Sequence, residues 1–179
     1  MPVYPYDPAA ARQELAAAGH ANDLEVKLAT ADIDQYRRLA EILQAQFGEV
    51  GVKVAVQVAP ASALRDLFGI RKAADMALSN TGLESDPSQL VSEYLAPDGL
   101  FNPGGSAIPG VQELAAQALG ESDAAKRASL YQQISTLARD NAGYLAICSP
   151  AFLFASSDQV SGFKGARAAG LPEWRGVSG

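Results

Sequence analysis

Apolar and polar positions alternate in two short stretches of this chain and recur every three or four residues in several longer ones. Leu24, Val26 and Leu28 alternate with Glu25 and Lys27, which predicts a strand over 24–29 buried on at least one face. From Ile33 to Gly48 the spacing changes. Tyr36, Leu39, Ala40, Leu43 and Phe47 fall on one stripe, with Arg37, Arg38, Glu41 and Gln44 opposite, so a helix is expected there. Asp32 with Gln35 has the form of a capping box. Four valines then alternate over 52–58 after Gly51. Strand, helix, strand at this spacing predicts a parallel, right-handed crossover unit.

The same reading extends to both sides. Asp7 can cap a first helix that starts at Pro8, carries Ala11, Leu15 and Ala18 on one stripe, and leaves at Gly19. Pro60 and Ser62 open a short helix with Leu64, Leu67 and Phe68. Asp75 then starts a third strand, Met76 to Leu78, and 88–94 reads as another short helix. The Pro- and Gly-rich run 96–110 reads as a long ordered loop, a kind that is usually functional or mobile. Two helices follow: 111–119, and a longer one from Asp123 to about Asn141. The second is capped by Ser122, ended by Gly143, and striped by Leu130, Ile134, Leu137 and Ala138. YLAICS and AFLFAS read as two short strands broken at Pro150. In the tail 161–179 the large apolar residues are Phe163, Leu171 and Trp174.

Composition narrows the function classes. At 179 residues the chain suits one domain with a core of its own. Acidic residues outnumber basic ones by 20 to 14 and no basic run occurs, which argues against nucleic acid as a partner. No apolar run approaches the roughly 20 residues needed to span a bilayer. The start lacks the pattern of a signal peptide, so the expectation is a cytoplasmic protein or one whose targeting segment lies outside this sequence. The lone cysteine, Cys148, lies in an apolar run and reads as a small buried hydrophobe.

Candidate chemistry is sparse. His20 follows Gly19 at a helix exit with no relay partner evident. Gly104 and Ser106 fit the first part of a nucleophile elbow, but Ile108 stands where the second glycine belongs. Glu84 and Asp86 lack a third metal ligand, and no phosphate or dinucleotide loop appears. No catalytic residue, metal or cofactor is assigned. One stretch stands out. The third strand stops at Ser79, Asn80, Thr81 and Gly82, followed by Glu84 and Asp86-Pro87. In open α/β sheets ligands lie beyond the carboxyl ends of such strands. The plainer reading is a strand-to-helix turn, with Asp86 or Ser88 capping the next helix.

Several segments together resemble the family 5 extracellular solute-binding proteins, the oligopeptide, dipeptide and nickel receptors of bacterial ABC importers. The opening carries Tyr6, Asp7, Pro8, Leu15, Ala18 and Gly19 in that family's order. Leu39, Ala40, Leu43, Gln46, Gly51 and Val52 match its helix-glycine-strand unit. Asn102, Gly105, Pro109, Val111 and Leu114 match a later loop, and the run 144–165 is similar to its closing segment. The resemblance covers nearly the whole chain but only the family's second lobe.

It implies an α/β fold: a three-layer α-β-α lobe of a type II periplasmic binding protein, its mixed sheet built on parallel crossover units with a short antiparallel strand. Residues 1–163 would form one ligand-binding lobe, and 164–179 a tail returning to a first lobe absent here. It also implies a receptor that closes about a hinge. Such a receptor binds a peptide or other small solute for a membrane permease, in the periplasm or extracellularly, with the full-length protein anchored to the membrane. In peptide-binding relatives an Asp in the loop after the third strand pairs with the ligand's amino group. Its position falls at Glu84 counting forward from Asp75 and at Leu83 counting back from Pro87, and the aromatic usual before it falls at Thr81. The implied ligand-binding residues are Ser79, Asn80, Thr81, Gly82 and Glu84, with Asn102 and Ser106 at the rim. A solute-sensing lobe of a regulatory protein is the alternative, and a hydrolase a third.

Overall fold

Three parallel strands carry the first part of the chain, in the order β2-β1-β3: β1 (Glu25–Ala31), β2 (Lys53–Ala59) and β3 (Met76–Leu78). The structure is a computed structural model and describes residues 4–80, 86–148, 155–162, 164–168, 171–173 and 176–178. It divides into two compact units, Met1–Asn80 and Thr81–Gly179. Each is taken by itself below.

In the first unit the register runs from Glu25↔Lys53 to Ala31↔Ala59 on one side of β1, and from Leu28↔Met76 to Thr30↔Leu78 on the other. Because β1 is central, the alternation seen at 24–28 gives way to burial on both faces, and Leu28, Ala29, Thr30 and Ala31 are all enclosed. Thr30 is 0% exposed and its hydroxyl donates to the Leu78 carbonyl at 3.3 Å, which leaves no buried polar group of β1 unmatched there. At the entry of β3 the Asp75 carboxylate accepts from the Lys27 amide at 2.7 Å.

Helix α1 (Pro8–Ala17) starts as expected, with Asp7 accepting from the Ala9 and Ala10 amides and Gly19 at φ 88°. Helix α2 (Asp34–Glu49) packs its predicted stripe on the sheet through fully buried Ala40, whose small side chain permits close approach. Its polar face contributes as well, since the Gln44 amide donates to the Val54 carbonyl at 2.6 Å. Gly51 at φ 88° closes the helix, and the Val52 amide returns to the Phe47 carbonyl at 3.0 Å. The Asp32–Gln35 capping box does not form. The N-cap is Ile33 without a side-chain bond, because Arg37 takes the Asp32 carboxylate at 2.5 Å and pairs with Asp34 too. Helix α3 (Ala61–Leu64) continues as a π-helical turn, Arg65–Ile70. His20 does have a neighbour after all, with Nδ1 3.3 Å from an Asp23 oxygen on the surface.

The second unit is built on α4 (Pro87–Leu90, continuing as a π-helical turn Val91–Leu95), α5 (Val111–Gly120) and α6 (Ala124–Asp140). Val91, Ile108, Val111, Ile134 and Ala138 form its core. Asp123, not Ser122, caps α6 by accepting from the Ala125 and Lys126 amides. Two corrections concern the segment after it. Residues 144–148 form no strand: they are irregular and exposed, Leu145 by 73%. Apolar character without a paired neighbour does not make a strand. Cys148 is therefore exposed and not a core residue. Most of the second expected strand, AFLFAS, lies outside the described residues. The antiparallel ladder that is seen pairs β4 (Lys164–Ala168) with β5 (Leu171–Glu173), and Ser161 bridges Ser178 nearby in sequence.

Candidate functional site

Parallel pairing brings the carboxyl ends of β1, β2 and β3 out on the same side of the sheet. The Asp32 amide, just past β1, donates to the Ala59 carbonyl at the end of β2 at 2.8 Å. The chain turns to opposite edges from β1, since β2 and β3 flank it. An arrangement of this kind leaves a crevice beyond the strand ends. Ser79 and Asn80 follow buried Leu78 directly and are exposed, with the Ser79 hydroxyl donating to the Asn80 carbonyl at 3.2 Å. Strand β3 ends there because its ladder with β1 ends at Thr30↔Leu78. Thr81, Gly82 and Glu84 lie outside the described residues.

The second unit brings Asn102 and Ser106 together in one loop. The Asn102 amide nitrogen donates to the Ala96 and Ser106 carbonyls at 2.9 and 2.8 Å, and its oxygen accepts from the Ser106 amide at 3.2 Å. Asn102 is thus the staple of the loop, half-buried and fully occupied by it. Ser106 is exposed, and among the described residues its hydroxyl has no hydrogen bond. Next to this loop the Tyr94 ring stacks on Phe101 with centroids 4.7 Å apart and meets Tyr144 edge-on at 5.5 Å. These groups can offer hydrogen bonds and apolar contact to a solute. Among the described residues no three metal-ligating side chains converge, and no helix is long and apolar enough to cross a membrane.

One charged constellation was not expected from the sequence. Arg127 of α6 donates from Nη2 to both Asp86 oxygens, at 2.8 and 2.6 Å, and from Nε to the Ala118 carbonyl at 3.1 Å. Its guanidinium lies 5.2 Å from the centre of the Tyr131 ring. Asp86 also caps α4, accepting from the Ser88 amide at 2.9 Å. A signal was present in the sequence: Arg127 is seven residues before Ile134, on the stripe that α6 buries, and a cation placed there needs a partner.

The Arg127 hydrogen bond, with further help from Ser88, holds the Asp86 carboxyl down at about 2, well below the usual carboxylate range. A depressed folded-state value means that the bond stabilises fully above the ordinary pKa and is lost as pH falls toward 2. Urea midpoints taken between pH 5 and pH 2 should therefore fall more steeply for the wild type than for Asp86→Asn. Parallel curves would show that the pair does not titrate with folding.

No curated protein matches the chain. Among solved structures, it is similar to the ABC transporter-associated periplasmic binding protein DppA of Helicobacter pylori in complex with peptide STSA. That match has a TM-score of 0.71 and 21% identity, covering 81% of this chain and 29% of that one. NikA of Staphylococcus aureus in complex with Ni(L-His)2 matches with a TM-score of 0.72 and 19% identity over 80% and 31%. The ABC transporter substrate-binding protein CtaP of Listeria monocytogenes matches at 0.70 and 23% over 79% and 30%. The chain spans under a third of the length of each, and at these identities the likeness is one of fold: that of a type II periplasmic binding protein. Residues 1–102 match the family model of bacterial extracellular solute-binding proteins, family 5 Middle. With more than half of its length so matched, the chain belongs to the family 5 bacterial extracellular solute-binding proteins.

Proposed function

We propose that this chain is one lobe of a hinged two-lobe receptor that binds a peptide or other small solute outside the cytoplasm and passes it to an ABC permease. Residues 1–163 would be the lobe and 164–179 the tail returning to the other lobe. The observation that carries the reading is the family match over residues 1–102, which includes all three parallel strands and the segment just beyond β3. It favours import over solute sensing by a regulatory protein. Periplasmic or extracellular location and membrane anchoring of the full-length protein belong to the same proposal.

In this reading the ligand contacts are polar groups of Ser79, Asn80, Thr81 and Gly82, and the Glu84 carboxylate faces a cationic end of the solute. Ser106 supplies a rim hydroxyl, while Asn102 shapes the rim through its loop bonds. No catalysis is assigned.

A cleft normally encloses most of a small ligand, and one lobe supplies only part of that enclosure. Tri-alanine titrated into the isolated chain should give no measurable heat at micromolar concentrations. A micromolar Kd for the isolated chain would count against the two-lobe reading. The full-length gene product purified from its native host should carry a solute detectable by mass spectrometry, and repeated isolation without any bound solute would defeat the import proposal.

A further inference from the structure

Aromatic rings and carboxylates gather at one loop of the second unit. Tyr94 lies half-buried in the π-helical turn, with Phe101 stacked on it and Tyr144 edge-on. The two outer rings are 38% and 42% exposed. Their planes make angles of 21° and 69° with that of Tyr94, so the exposed rings are steeply inclined to each other and form a corner. The Phe101 ring is held from its backbone, whose amide donates to the Glu93 carbonyl at 2.9 Å. A corner of exposed rings offers apolar contact to any small group. To a cation it offers more, because the face of each ring is negative.

The charges around the corner have one sign. From 73 to 125 the chain has no lysine, arginine or histidine. Glu93 adjoins Tyr94, and Asp98 lies three residues before Phe101, which places it within about 11 Å along the chain. Among the described residues neither carboxylate is in an ion pair. The nearest cation along the chain from Tyr144 is Arg139, and Asp140 matches it at 2.7 Å. The rings and the unpaired carboxylates therefore favour the same kind of guest, and an anion would meet no partner in this loop.

Resting on the receptor reading above, we infer that this corner takes a compact organic cation, an amine or quaternary ammonium group of the solute, against Phe101 and Tyr144, with Glu93 and Asp98 attracting it at longer range. A neutral group of the same shape gains the apolar contact alone. The corner thus selects by charge, and it does so with residues of the second unit only.

Choline and its neutral isostere 3,3-dimethyl-1-butanol, titrated into the 179-residue chain and followed by saturation-transfer NMR, test this on the wild type. Choline should bind with a Kd of millimolar order, and the isostere about tenfold more weakly. Phe101→Leu and Tyr144→Leu keep apolar bulk and remove a ring face, so each should weaken choline about threefold and leave the isostere unchanged. Asp98→Asn should weaken choline at low salt and not at about 1 M, where screening shortens to about 3 Å. Equal binding of the two probes, or no binding of choline, overturns the inference. So does an unchanged choline affinity in both ring variants. If the full-length product carries no solute while the chain still prefers choline, the receptor reading fails and the cation corner stands. A carried solute without any cationic group defeats the corner and leaves import intact.

Discussion

Ile134→Ala is expected to lower the unfolding free energy by about 2–5 kcal/mol, the range for deleting a buried aliphatic side chain and leaving a cavity. Ile134 is 2% exposed and sits in the middle of α6, where Val91, Ile108, Val111 and Ala138 enclose it. Those neighbours come from the turn after α4, the long loop, α5 and α6 itself, so no single element can move in to fill the space. Domains of this size are stable by only about 5–15 kcal/mol, so the loss is a large share of the total. Leu119→Ala is the matched control. Leu119 is 67% exposed in the last turn of α5, and its truncation should stay within about 0.5 kcal/mol. Urea unfolding followed by circular dichroism compares the two, and equal midpoints would mean that the packing around Ile134 is not what holds this unit together.

Local periodicity made the crossover unit legible, and long-range pairing hid the rest. The valines of β2 and the stripe of α2 report their own burial, because the side chains that pack are spaced by the geometry of the element that carries them. Position within the sheet is another matter. Thr30 breaks the apolar pattern of β1, and only its pairing with Leu78 shows why a hydroxyl is buried there. Two of the expected caps, on α2 and α6, failed for a related reason, while those at Asp7 and Asp86 form. Asp32 has the right chemistry to cap α2, but Arg37 competes for its carboxylate from one turn along, and Asp123 displaced Ser122 by a single residue on α6. The run from Tyr144 has strand-like composition, and composition cannot supply a partner strand.

Of the candidate site, the end of β3 was legible to the same depth. An apolar run that stops at Ser79 and Asn80 marks the carboxyl end of β3, as the structure shows. Asn102 was read as a rim residue from the family's loop, and its actual bonds are to its own loop. The Asp86–Arg127 pair joins residues 41 apart, a separation at which no sequence period operates. Asp-Pro before a helix signals a cap, and Asp86 is one, so the visible function of the residue concealed the second.

Gly99→Ala should cost about 1–3 kcal/mol, the range for forcing an extra carbon into a filled space. A Cβ at this position would lie 2.5 Å from the Glu93 carbonyl oxygen, 2.8 Å from that of Ser92 and 2.9 Å from that of Ala96. All three are backbone atoms at the end of the π-helical turn, so no rotamer change relieves the clash and the chain itself must shift. The shift would fall where the loop is fastened. The Gly99 amide donates to the Ala96 carbonyl at 2.9 Å, the Phe101 amide to the Glu93 carbonyl at 2.9 Å, and the Asn102 side chain reaches the same Ala96 carbonyl. Moving these groups apart would loosen the Tyr94–Phe101 stack and the bracket around Ser106 together. Gly104→Ala separates that effect from the general cost of losing a glycine. A Cβ at Gly104 meets nothing within 4 Å, so this change should be neutral or stabilising by up to about 1 kcal/mol. For a chain of this length 1 kcal/mol moves Tm by about 2–4 °C, so thermal melts resolve the pair readily. Near-ultraviolet circular dichroism then reports whether the tyrosine stack goes with the stability. If Gly99→Ala melts with Gly104→Ala, the loop is not fastened at this point, and a rim built on Asn102 and Ser106 loses its foundation.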